Sequence, residues 1–118
     1  MDAETKERLH QALVEERESS REQLRDLGVN PDDPASVELQ FDQGLADSAQ
    51  ITAERNRVLS IAQGLRAALD DVEHALRRVE RGTYGTCETC GREIPIERLE
   101  AIPFARLCIE CKQKAGTR

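Results

Sequence analysis

Residues 51–79 read ITAERNRVLSIAQGLRAALDDVEHALRRV, and the spacing of their apolar side chains decides the fold. Ile51, Val58, Leu65, Val72 and Val79 recur every seven residues, with Arg55, Ala62, Leu69 and Leu76 four residues after the first four. A heptad pattern sustained in this way lays an apolar stripe along one helix that must face another. Local signals bracket it. Asp47 can accept from the amide three residues on while Gln50 reaches back, a capping-box arrangement. Arg77, Arg78 and Arg81 complement the dipole of the last turn, and Gly82 supplies the residue just past the end. The expected helix covers about residues 47–81 and is roughly 52 Å long.

A rod of that length in a chain of 118 residues needs a partner. Upstream, Leu9, Leu13, Glu16, Ser20, Leu24 and Leu27 fall three or four apart, with Glu16 and Ser20 interrupting the seam, and Gly28, Pro31 and Pro34 punctuate its end. Two such helices in one chain pack antiparallel, so the fold class expected is mainly α: an antiparallel coiled-coil hairpin with a C-terminal four-Cys zinc-finger module. An intermolecular coiled coil of the second helix is the alternative, made less attractive by Arg55 on the seam. The expected domains are the hairpin, 1–81, with an acidic tip at about 28–49, and the zinc-finger module, 82–118. The connection exceeds the roughly 2–8 residues usual between bundle helices. From Asp26 to Glu54 there is no Lys or Arg, but seven carboxylates. A solvated turn is the plain reading of that composition; Val37, Leu39, Phe41 and Leu45 give it more apolar content than such a turn needs.

Composition explains why a second source of order is required. Hydrophobic residues are 38% of the chain, aromatic residues 3%, Trp is absent and 34% of residues are charged, too little bulk for a thick core. No apolar run is long enough to span a membrane, and the first residues lack a secretory signal's basic and apolar regions. The chain is therefore expected in the cytoplasm, with its four Cys reduced and available to a metal.

Cys87-x2-Cys90 and Cys108-x2-Cys111, 17 residues apart, use every Cys in the chain at the spacing of a four-thiolate zinc site. Free thiols or a redox-active Cys-x2-Cys pair are the alternatives; the second lacks a surrounding strand-helix context. Four protein thiolates leave no open coordination position, so one structural zinc ion is expected, replacing a core rather than activating water. Tyr84, Ile94, Ile96, Leu99, Ile102, Phe104 and Leu107 can form its apolar shell, and a short helix is expected to about Lys114. His10 and His74 read as solvated surface residues. No Ser/His/Asp grouping or phosphate-cradling loop stands out, so no enzymatic activity is expected. The net charge is −6. The segment from Thr83 sums to only +1, and four thiolates with one dication bring it to about −1, a poor basis for binding nucleic acid.

The stretch Gly82-Thr-Tyr-Gly85-Thr-Cys87-Glu-Thr-Cys90-Gly91, with Ile94, Arg98-Leu99-Glu100-Ala101, Pro103 and Cys108-Ile-Glu-Cys111-Lys112, resembles the zinc-finger signature of the DksA/TraR family of bacterial transcription regulators. The resemblance implies a bacterial cytoplasmic protein, monomeric, with RNA polymerase as partner. It implies that the hairpin enters the polymerase's secondary channel and places an acidic tip near the catalytic centre without reading a DNA sequence. The family's tip pattern, Asp-x-x-Asp-x-Ala, falls on Gly44-Leu-Ala-Asp47-Ser-Ala49. Asp47 and Ala49 match; Gly44 stands in place of the first Asp, and Asp42 is two residues away. Some relatives form a guanosine tetraphosphate site with the polymerase using basic residues, one of which corresponds to Ile102; Lys112 retains another. The competing function is a zinc-stabilised structural or adaptor protein that binds another helical protein.

Overall fold

The structure, a computed structural model, describes residues 1–33 and 49–116. It is helical: α1 spans Ala3–Asp26, α2 Ala49–Arg81, α3 Ile96–Ala101 and α4 Ile109–Gly116. Among the described residues the only β pairing is an isolated antiparallel bridge between Thr86 and Glu93.

Local chemistry sets the helix ends. Asp2 caps α1, its carboxylate accepting from the Thr5 amide at 2.7 Å while its carbonyl accepts from Lys6 at 3.0 Å. Gly28 (φ 82°) and Gly82 (φ 75°) take the left-handed conformation that lets the chain turn off a helix without a Cβ clash. After α1, the Val29 amide donates to the Leu24 carbonyl at 2.9 Å and the Gly28 amide to Arg25 at 2.9 Å. After α2, Thr83 donates to Arg78 at 3.0 Å and Gly82 to Val79 at 3.2 Å. Both are Schellman closures. Helix α2 opens at Ala49, two residues later than the sequence suggests, and the expected cap at Asp47 lies outside the described residues.

The chain forms two compact units, residues 18–70 and residues 1–17 with 71–118. In the first, Leu24, Val29, Ala62 and Leu69 form a buried cluster flanked by Leu27, Leu59 and Leu65. Val29, three residues past the end of α1, folds back beside Leu24 and completes the closure. Ser20 is buried here, so its short side chain lies within the interface rather than interrupting it. Asn30 starts a turn, its carbonyl accepting from the Asp33 amide at 3.1 Å and its side chain from the Asp32 amide at 3.0 Å.

In the second unit, Leu13 packs on Val72, Ala75 and Leu76, with Tyr84 and Phe104 at the margin. Leu9 joins Cys87, Ile94 and Leu99 in a separate cluster. The seam and the apolar shell depart from expectation in places. Glu16 is exposed and Arg17 half-buried in its place, because the interface of α1 is offset by one residue there. Ala75 is buried beside Leu76, widening the stripe of α2 beyond the heptad pair. Ile96 and Ile102 do not join the apolar shell: they sit exposed at the start of α3 and just past its end, and the buried contribution of α3 is Leu99.

Candidate metal centre

Two knuckles carry the four Cys. After Gly82 ends α2, the Cys87 amide donates to the Arg92 carbonyl at 2.8 Å and the Gly91 amide to the Cys87 carbonyl at 3.0 Å. This folds Cys87 and Cys90 to the same side. The second pair is set by the start of α4, where the Lys112 amide donates to the Cys108 carbonyl at 3.0 Å and brings Cys111 one turn on. The Glu88 amide donates to Arg106 at 3.0 Å, tying the two knuckles together, and Arg98 Nε donates to the Leu107 carbonyl at 2.9 Å. The Tyr84 hydroxyl donates to the Pro103 carbonyl at 2.7 Å. Burial pushes that phenol up to about 12, keeping it protonated as a donor.

The four Sγ atoms of Cys87, Cys90, Cys108 and Cys111 all lie within 4.8 Å of one another, with Cys90 and Cys108 3.8 Å apart. A tetrahedral zinc–thiolate site with bonds of about 2.3 Å has sulfur–sulfur edges of roughly 3.8 Å, so the donor set fits one zinc ion in size and chemistry. Its electrostatics favour metal. The amides of Cys90 and Cys108 point at Cys87 and hold its thiol down at about 6. Hydrogen bonding to Cys108, with burial, pushes the Cys111 thiol up to about 12. Sulfurs this close cannot all ionise alone, whereas a dication lets all four do so and joins metal binding to folding.

Beside the knuckle, His74 Nε2 contacts Glu88 Oε1, Arg78 lies 3.7 Å from the same carboxylate, and Arg106 pairs with Asp71 at 2.8 Å. Burial raises the Glu88 carboxyl, but the His74 hydrogen bond and the charges of His74 and Arg78 outweigh it and hold the group below its ordinary value. His74 is therefore a partner of the knuckle rather than a solvated residue. The sequence signal was the spacing of Asp71, His74 and Arg78, which puts all three on one face of α2. A neighbouring cavity of about 350 Å³ is lined by Arg98, Ile102, Arg106 and Lys112, together with the carboxylates of Asp71 and Glu88.

Of the expected tip residues, Ala49 is the exposed first residue of α2, while Asp42 and Asp47 lie outside the described residues.

Residues 82–115 match the prokaryotic dksA/traR C4-type zinc finger. Over 109 residues the chain is 33% identical to the RNA polymerase-binding transcription factor DksA of Haemophilus influenzae, covering 92% of this chain and 68% of that one. This chain belongs to the DksA/TraR family. DksA2 of Pseudomonas aeruginosa superposes with a TM-score of 0.75 at 26% identity, over 100% of this chain and 88% of that chain. General stress protein 16O of Bacillus subtilis is 39% identical over 71 residues, 60% of this chain, and this chain spans only 44% of that relative's length. The four Cys of this DksA/TraR member are those of a C4-type finger, positioned to hold one zinc ion.

Proposed function

We propose that this protein is a bacterial, cytoplasmic transcription regulator that binds RNA polymerase as a monomer, without recognising a DNA sequence. The zinc finger (82–118) anchors one end of a helical hairpin (1–81), which enters the secondary channel and brings an acidic tip toward the catalytic centre to modulate initiation. The observation that carries this reading is the similarity to DksA of Haemophilus influenzae across 92% of this chain, hairpin as well as finger. Charge supports it. The basic-free stretch from Asp26 to Glu54 runs from the last residue of α1 into the first turns of α2. It suits action near bound Mg²⁺ and its ligands, and is unsuited to holding phosphates. Cys87, Cys90, Cys108 and Cys111 hold the zinc. In the tip, Asp47 is the acting carboxylate, Asp42 its companion in place of the charge absent at Gly44, and Ala49 the small residue at the start of α2. The role is non-catalytic: the polymerase performs the chemistry and this chain changes its electrostatics. Purified polymerase should be retained by the immobilised zinc-loaded protein and its initiation should respond to it. Absence of both refutes the reading.

A further inference from the structure

The short strap after α1 is held more firmly than a connection requires. Gly28 and Val29 end α1, yet the chain stays held beyond them, with Pro31 buried. Arg66, on α2, donates through Nη1 to the Pro31 carbonyl and through Nη2 to Asp70 Oδ1 at 3.0 Å. Proline has no amide hydrogen, so its carbonyl is the only backbone handle for hydrogen bonding at this position. Asp70, one turn on, orients the guanidinium from the other side. Arg21 pairs with Asp32 at 2.9 Å, adding a second clamp one residue further along the strap.

Those clamps sit where the acidic stretch begins. Ala49, where the connection rejoins α2, is about 26 Å along the helix from Arg66, so the clamp at Pro31 sets the departure from α1 independently of the point of return. We propose that Arg66 is a positioning residue: its fork between Pro31 and Asp70 fixes the departure point of the acidic connection, and hence where the tip acts. This rests on the polymerase-regulator reading and names the residue that sets its geometry.

The planar fork is what matters, since a lysine keeps the charge but cannot hold both acceptors in one fixed plane. The test uses the full zinc-loaded chain with Arg66→Lys and Arg66→Met, and Arg57→Lys as a surface control because the Arg57 side chain is 73% exposed. Four quantities are read: amide exchange at Asp32 and Asp33, thermal stability, affinity for polymerase, and the effect on initiation. For Arg66→Lys we expect exchange at both amides about tenfold faster, affinity within about twofold of the parent, and an effect on initiation reduced about fivefold or more. Arg57→Lys should match the parent throughout. Unchanged exchange at Asp32 and Asp33 overturns the proposal, as does a fall in affinity and effect together in step with lower thermal stability. If the parent acts and Arg66→Lys acts equally, the positioning role alone fails. If the parent neither binds nor acts, the regulator reading itself fails.

Discussion

Leu69 is fully buried against Leu24, Val29 and Ala62, and Leu69→Ala is the sharpest perturbation of the helix pairing. The substitution removes three carbons from a site with no exposure. At about 0.8 kcal/mol per buried carbon this forfeits roughly 2.4 kcal/mol of transfer free energy. Helices pinned on both sides collapse only partly around the gap, which raises the expected loss to about 3–4 kcal/mol, within the range for buried Leu→Ala. Such a loss lowers the folding equilibrium constant roughly 100- to 1,000-fold. Urea unfolding of zinc-loaded protein, followed by helical circular dichroism, reads it as a lower midpoint at unchanged slope. Ile61→Ala is the control: Ile61 is 44% exposed, and its loss should cost only about 0.5 kcal/mol. The midpoint should not move with protein concentration, since the partner helix lies in the same chain. A loss under about 1 kcal/mol for Leu69→Ala, or one equal to that of Ile61→Ala, would refute the pairing. A concentration-dependent midpoint would point instead to an intermolecular coiled coil.

Cys108→Ser should abolish stoichiometric zinc, measured by elemental analysis, and unfold the segment after Gly82, because folding there is coupled to metal. Guanosine tetraphosphate should enhance this protein's effect on transcription little or not at all: Ile102 supplies no charge, and the carboxylates of Asp71 and Glu88 offset two of the three cations, Arg98, Arg106 and Lys112, that line the cavity. A strong enhancement in a reconstituted assay would contradict this. The Asp2 carboxyl is held below its ordinary value by hydrogen bonds from Thr5. Its contribution to the first turn of α1 should be complete above about pH 4 and lost as pH falls through the depressed folded value. Thr5 amide shifts followed by NMR against pH should report that loss, and Asp2→Asn should flatten the titration.

Much of the architecture was legible because its signals are local. Gly82 after three arginines marked the end of α2, and Gly28 with Pro31 marked the turn after α1. Cys spacing alone picked out the four thiols that the fold brings together, since each Cys-x2-Cys turn folds its two sulfurs together whatever lies elsewhere. The misplaced features depend on contacts distant in sequence. Glu16 fits a three-and-four spacing, but the interface of α1 passes through position 17, where an arginine stem can cover apolar surface. His74 stays near Glu88 because the knuckle turns back on α2. The Pro31 carbonyl is a backbone acceptor that no side-chain pattern announces, so the Arg66 clamp had no sequence signature. Ile96 and Ile102 were expected inside because they are apolar, but a six-residue helix has room for little beyond Leu99 on its buried face.

In the proposed function, a carboxylate of the acidic connection changes what polymerase does, separately from binding. Asp47→Asn tests it most directly, because asparagine can still cap a helix while the charge is removed. Affinity for polymerase and the effect on initiation should be measured side by side for the parent, Asp47→Asn and Asp42→Asn. Asp47→Asn should bind within about twofold of the parent while its effect on initiation is lost or altered, since an amide cannot replace a charge near the catalytic metal. An Asp47→Asn protein that binds and regulates like the parent would contradict it.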